Sequence, residues 1–237
     1  MISGDIERLR HLERELTEDE CRFPPRRPLD AAALLLIDRS GSVPKVLVGK
    51  RGKRHAFMPD MYVFPGGRRD ATDWRVPLAA PLLPEVEARL IRNTPARFRT
   101  ATARALAVTA AREMMEEASV SLTPPGLTVP LMPDVSRFRF LARAITPPGR
   151  SRRFDTRFFT CFTDEIGADP ASARDSDELH DLTWLPVNAP DQVALPRITQ
   201  VILADLAEAL DEDGTLPYER PVPFYFYRRG QFARALI

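Results

Sequence analysis

Cysteine is scarce in this chain: Cys21 and Cys161 are the only two in 237 residues. They exclude a disulfide framework and match no metal-ligand spacing, so the expectation is two buried thiols in a reducing compartment. Charge of one sign is equally lacking. With 34 basic and 33 acidic residues the formal charge is +1, so the overall field names no partner, and nucleic acid is not expected from charge. Long apolar runs are missing too. AAALLLI at 31–37 is the longest strongly apolar stretch, far short of the roughly 20 residues that span a bilayer. The first ten residues are charged and carry no apolar signal segment. The expectation is a soluble, cytoplasmic chain with no membrane partner.

Proline, by contrast, is abundant. Its 23 residues cluster at 24–28, 77–84, 124–133, 147–148 and 186–196, about twice the usual share. These clusters lie between periodic segments and punctuate a folded chain rather than disordering it. A 44% hydrophobic content is enough for one large domain or one domain with extensions. No internal repeat is present.

Along the chain, residues 3–18 put Ile6, Leu9, Leu12 and Leu16 on one stripe, predicting an amphipathic helix docked on its own domain or on a second subunit. DAAALLLID (30–38) and PKVLVGKR (44–51), joined by RSGS, read as a β-hairpin. MYVFPGG (61–67) reads as a strand stopped by Pro65 and a glycine pair. Helices are predicted over 84–93, over the alanine-rich 99–119 and over 197–210. Strands are predicted over 137–144, 154–162 and 179–186, with PFYFYRRG as a last one. Interleaved in this way, the elements predict an α/β (α+β) fold, a mixed sheet between helices. The expected divisions are a helical extension over 1–28, a domain over 29–215 with an insertion at about 70–98, and a tail over 216–237 packed on the domain.

REMMEEAS at 112–119 asks for an explanation. Glu113, Glu116 and Glu117 stand at i, i+3 and i+4, on one face of a helix that turns 100° per residue. Like charges at those spacings repel by about 0.2–0.5 kcal/mol per pair, and Arg112 is the only cation nearby. Either the face is solvated or it holds a positive species that the sequence does not supply.

FPGG followed by REMMEEAS resembles the box of the Nudix hydrolases, G-x5-E-x7-R-E-U-x-E-E-x-G-U with U aliphatic. Gly67 matches the opening glycine, and Arg112, Glu113, Met114, Glu116, Glu117 and Val120 match R, E, U, E, E and the closing U. The resemblance implies a mixed sheet sandwiched between helices and metal-dependent hydrolysis of a nucleoside diphosphate linked to a group X. It assigns Mg²⁺ or Mn²⁺ to Glu113, Glu116 and Glu117 and the carbonyl of Gly66, an all-oxygen donor set suited to those ions. Arg112 would hold a glutamate in place. Catalytic roles fall to Glu113, Glu116 and Arg112, and to Glu178 as an outlying carboxylate, with Asp177 its alternative. His180 beside them reads as structural. Three departures stand out. Arg104 occupies the position eight before Arg112, where a glutamate is expected; Gly67 and Arg112 are 45 apart rather than 14; and Ser119 replaces the glycine that closes the helix. A lost supporting interaction and an inserted segment over the site are therefore expected.

RHAFMPDMYVFPGGRRDATDW, the long insert, ALAVTAAREMMEEASVSL and ITPPGRSRRFDTRFF together resemble one branch, the peroxisomal coenzyme A diphosphatases and their proteobacterial relatives. That likeness implies coenzyme A or acyl-CoA cut to 3′,5′-ADP and a 4′-phosphopantetheine product. Lys50, Arg51, Lys53, Arg54, Arg150, Arg152, Arg153 and Arg157 offer positive groups to an anionic nucleotide, and Tyr62 or Phe154 a stacking surface. Arg51, Arg153, Phe154, Asp155 and Arg157 are the expected substrate contacts. Rival substrates are ADP-ribose, NADH, dinucleoside polyphosphates or an oxidised nucleotide. A rival class is a Nudix module that senses a nucleotide without cutting it; cap removal from RNA is a third, disfavoured by the neutral charge. A small-molecule nucleotide is the expected partner, and a homodimer is compatible with the apolar surface of extension and insert.

Overall fold

In the computed structural model, residues 3–13, 23–24, 26–52, 60–127, 129 and 131–237 are described; Leu16, Cys21, Lys53 and Arg54 lie outside them. The apolar run near the start forms β1 (Leu29–Asp38). Its side chains alternate between two cores. Ala32, Leu34 and Leu36 face one, while Ala33, Leu35 and Ile37 face the other. A strand buried on both faces needs an unbroken apolar run rather than an alternating one, which is why this segment carries no polar residue between Ala31 and Ile37.

β2 (Lys45–Arg51) returns as the hairpin partner, pairing Ile37 with Val46 and Asp38 with Lys45. The single strand expected over 61–67 is divided instead. β3 (Tyr62–Val63) pairs with β2, and β4 (Gly66–Arg68) pairs with β1 through Ala33↔Gly66 and Ala32↔Gly67. Pro65 stands at the break, where a residue without an N–H cannot continue the ladder, and its carbonyl accepts from Leu34 N (3.0 Å). The chain thereby passes from one neighbour strand to the next and delivers both glycines beside β1.

The remaining strands are β5 (Arg139–Ile145), β6 (Phe154–Phe162), β7 (Leu179–Pro186), β8 (Pro223–Arg228) and β9 (Gln231–Leu236). The sheet runs β3-β2-β1-β6-β5-β8-β9, with β4 on β1 and β7 on β2. β1 and β6 are parallel, as are β5 and β8; the other pairs are antiparallel. The sheet is therefore mixed, as expected. The tail over 216–237 forms its last hairpin, longer than the one strand anticipated.

Helices cover both faces. α1 (Ser3–Glu13) and α5 (Arg197–Glu212) lie on one side, where Leu12, Ile202, Leu203 and Leu206 join the core. α2 (Pro84–Ile91) and α3 (Thr100–Ala118) lie on the other, through Val86, Leu90, Leu106, Ala110 and Met114. α4 (Thr163–Ile166) is a single turn after β6. α1 docks on its own domain: Arg8 pairs with Asp205 (3.5 Å) and Glu208 (2.6 Å) of α5, and Asp5 with Arg234 (3.1 Å) of β9. Its stripe is narrower than expected, since Ile6 is exposed.

The insertion is part of the core rather than a cover. Leu82, Val86, Leu90 and Phe98 are buried against α3 and the sheet, and of residues 70–98 only Asp70 lines the large cavity described below. Apolar side chains every three or four residues draw the segment onto the flank of α3.

Candidate active site

A cavity of about 790 Å³ opens beside the second half of α3, within the size range of ordinary small-molecule sites. Glu113, Glu116 and Glu117 line it together with Gly66, Gly67, Arg51 and Glu178. Pairing of Arg51 with Leu179 across β2 and β7 sets Arg51 and Glu178 at the same end of that ladder. The outlying carboxylate is thus brought to the helix glutamates, and its negative charge acts on both Glu113 and Glu117.

The glycine pair is required by approach rather than by backbone angle. A Cβ on Gly66 would stand 2.6 Å from the carbonyl oxygen of Ala32, and one on Gly67 2.6 Å from Glu113 Cδ. Gly66 N–H donates to Glu117 Oε2 at 2.7 Å, a buried charge-assisted bond that ties β4 to α3. Burial is the main reason the Glu117 carboxyl is pushed up to about 8, with Glu113 and Glu178 adding to it while the Gly66 amide and Arg51 oppose it. Burial also raises Glu113, against the pull of Arg112.

Arg112 lies between these acids. Its Nη1 is 2.9 Å from Glu113 Oε1 and donates to Glu116 Oε2 at 2.8 Å. Its Nε donates to Asp73 Oδ1 at 3.0 Å. Burial works against this guanidinium cation, but the Asp73 hydrogen bond and the charges of Glu113, Asp73 and Glu116 outweigh it and hold the proton more firmly.

Asp73 is the residue that sequence reasoning missed. It is 1% exposed, sits in a 3-10 turn (Asp73–Arg75), and also accepts from Thr109 Oγ1 (2.7 Å) and Asp70 N (2.8 Å). The signal was present: five residues lie between Gly67 and Asp73, the spacing of the acidic position when the box is read forward from its glycine. Read that way, the insertion falls between Asp73 and Arg112, and the supporting carboxylate is kept as an aspartate. Arg104 is therefore not a lost acid. It donates instead to Trp74 O (3.0 Å) and Val76 O (2.7 Å).

The expected substrate contacts divide by strand parity. Phe154 lines the cavity, along with Thr156 and Phe158, and so do Arg51 and Arg153. Asp155 and Arg157 lie on the opposite face of β6 and do not reach it. There Asp155 pairs with Arg143 (2.8 Å) and Arg157 (3.1 Å), and Arg157 also bonds Asp30 (3.1 Å) under the ring of Phe98. Both are structural charges of the core on the insertion side. Arg153 anchors the loop before β6 through Thr146 O (3.0 Å) and Arg26 O. Tyr62 hydrogen-bonds Asp181 away from the cavity. Cys161 is a buried free thiol whose pKa burial pushes up, remote from the cavity.

The donors suit a hard divalent ion: all are oxygens, and the two buried carboxyls are held in conditions that a cation would relieve. As they stand, Glu113 is engaged by Arg112 and Glu117 by Gly66 N–H, and no three acidic, histidine or cysteine groups among the described residues converge on one point.

The mixed sheet with helices on both faces matches the fold of solved Nudix hydrolases. A Nudix hydrolase from Alicyclobacillus acidocaldarius is similar at 25% identity and a TM-score of 0.56, over 75% of this chain and 90% of that one. The Nudix domain of Shewanella oneidensis NrtR, solved with ADP ribose, aligns at 17% identity and 0.49, over 82% and 99%. A MutT protein from Methanosarcina mazei aligns at 13% and 0.46, over 77% and 96%. No family model and no curated protein matches the chain. Fold, box and the first of these likenesses place the chain in the Nudix hydrolase superfamily, as a pyrophosphohydrolase. No helix among the described residues is long and apolar enough to cross a membrane.

Proposed function

We propose that the protein hydrolyses the pyrophosphate bond of coenzyme A or an acyl-CoA, giving 3′,5′-ADP and a 4′-phosphopantetheine product. The observation that carries this reading is a cavity with two chemical ends. Glu113, Glu116, Glu117 and Glu178 line one; Arg26, Arg27, Arg150, Arg152 and Arg153 line the other. The arginine end adjoins Leu29, which pairs with Phe154, and the carboxylate end adjoins Ala33, which pairs with Gly66. Four residues of β1 separate them, about 13 Å at ~3.3 Å per residue. A substrate with a pyrophosphate and a second, separate phosphate suits such a cavity; ADP-ribose and NADH carry no second phosphate.

Glu113, Glu116, Glu117 and the Gly66 carbonyl are the groups that would hold Mg²⁺ or Mn²⁺. The ion would neutralise the pyrophosphate and stabilise charge on the leaving oxygen during in-line attack by water. Arg112 keeps Glu113 and Glu116 aligned, and Glu178, a carboxylate lining the same cavity, would take the proton of the attacking water. Phe154 and the apolar wall of Ala31, Ala33 and Phe158 exclude water from the rest of the substrate.

The test is product analysis with Mg²⁺ or Mn²⁺ on coenzyme A, acetyl-CoA, dephospho-coenzyme A, ADP-ribose, NADH and diadenosine polyphosphates. Coenzyme A should give 3′,5′-ADP, and dephospho-coenzyme A should be cut at least ~10-fold less well, the worth of one charged contact. Glu116→Gln should lower kcat by about 100-fold or more. Equal turnover of dephospho-coenzyme A, or preference for another compound, overturns the coenzyme A reading. Nucleotide binding without metal-dependent cleavage of any compound overturns the enzyme.

A further inference from the structure

We infer that Arg104 is a positioning residue of this site, acting through Asp73 on Arg112; the inference rests on the hydrolase reading above. The insertion interrupts the box between its acidic position and its helix, so Asp73 and Arg112 are far apart in sequence yet must meet within hydrogen-bond distance. Closing that long loop carries an entropic cost that something local must offset. Two groups on α3 act at the root of the loop. Thr109 bonds the Asp73 carboxylate directly. Arg104 bonds the backbone on the far side of Asp73, one nitrogen to Trp74 O and the other to Val76 O.

Arg104 lies two helical turns before Arg112, about 12 Å along the axis. It does not touch the glutamates and works only through the turn it holds. Both of its acceptors are main-chain carbonyls, so it fixes the course of residues 74–76 whatever their side chains are. That course sets the carboxylate of Asp73, which sets Nε and Nη2 of Arg112 and leaves Nη1 for Glu113 and Glu116. A planar fork reaching two carbonyls is a task lysine performs poorly. The arginine in place of the expected acid thus has a role of its own: it clasps the split box shut.

The experiment compares wild type with Arg104→Ala, Arg104→Lys, Asp73→Asn and the double variant Arg104→Ala/Asp73→Asn. Backbone hydrogen exchange at Arg75 and Val76, bonded to Thr72 O and Asp73 O, should quicken by about tenfold or more in Arg104→Ala. Its kcat should fall about 10–100-fold, the usual effect of losing an outer supporting bond, with KM within about threefold. Arg104→Lys should recover part of that loss. Asp73→Asn should lower kcat similarly, and the double variant no further, because the two act in series. Wild-type exchange and kcat in Arg104→Ala, or full additivity, overturns the inference; Arg104→Lys reads the same outcomes if Arg104→Ala does not fold. Failure of the wild type to cleave any compound would remove the proposed function instead, and exchange together with Mn²⁺ affinity by calorimetry would still decide whether Arg104 orders the turn.

Discussion

At the scale of single residues, burial of charge organises this protein twice, with different outcomes. In the cavity the raised Glu113 and Glu117 carboxyls face a space that a cation can enter. Under α1, Asp205 is buried for structure: it accepts from Tyr225 Oη (2.9 and 3.0 Å) and pairs with Arg8. Burial, only partly offset by Arg8, the Tyr225 hydroxyl and Arg234, pushes its pKa from the ordinary 3.8 to about 6. Between those values the folded state holds a proton that the unfolded chain has released. Stability contributed by this group is therefore present at low pH and lost as pH rises through about 6. Relative to Asp205→Asn, the wild type should lose about 2–3 kcal/mol between pH 4 and pH 7. Urea melts of both proteins across that range check the slope; a difference independent of pH removes the assignment.

Elements explain what could be read from the chain and what could not. α3 was legible because its glutamates repeat at helical spacing and its alanines favour helix; so was the mixed sheet, from β-branched and aromatic runs between prolines. β6 was legible as a strand but not as two faces. In FDTRFFTCF polar and aromatic residues occur at both parities, since one side meets the cavity and the other a buried ion-pair cluster. Asp155 and Arg157 were misplaced for that reason, while Asp73 was missed because the box was counted back from the helix and not forward from the glycine. The helix end was legible in its departure: Ser119, where glycine is expected, adopts φ 60° and ψ 17° and donates to Met115 O (3.0 Å). A side chain in that left-handed conformation costs about 1 kcal/mol. Ser119→Gly should therefore raise Tm by about 2–4 °C in a chain of this size, with kcat unchanged, by calorimetry and turnover on the same preparation. A lower Tm would mean that the serine side chain makes a contact worth more than the strain.

For the whole molecule, the N-terminal helix turns from an appendage into a wall. α1 reaches α5 and β9 through Arg8 and Asp5, and Arg197 Nη1 donates to the carbonyl of His11 (2.8 Å). These bonds accompany an apolar contact, for Leu12 is 1% exposed within the core that holds Leu206 and Tyr225. Leu12 also lines the cavity, together with Ile198, Tyr225 and Phe232. The sheet face left open by β1 and β6 is thus closed by the first helix and the last hairpin, so both ends of the described chain shape one site. Removing the Leu12 side chain should cost stability and shape at once. Leu12→Ala is expected to lose about 2–4 kcal/mol, and to raise KM severalfold while kcat stays within about twofold, because the wall binds substrate without touching the scissile bond. Denaturant melts and steady-state kinetics on one preparation separate the two effects. Lost stability with wild-type KM would make α1 a brace alone; a fall in kcat at constant KM would place it in the chemistry, against this arrangement.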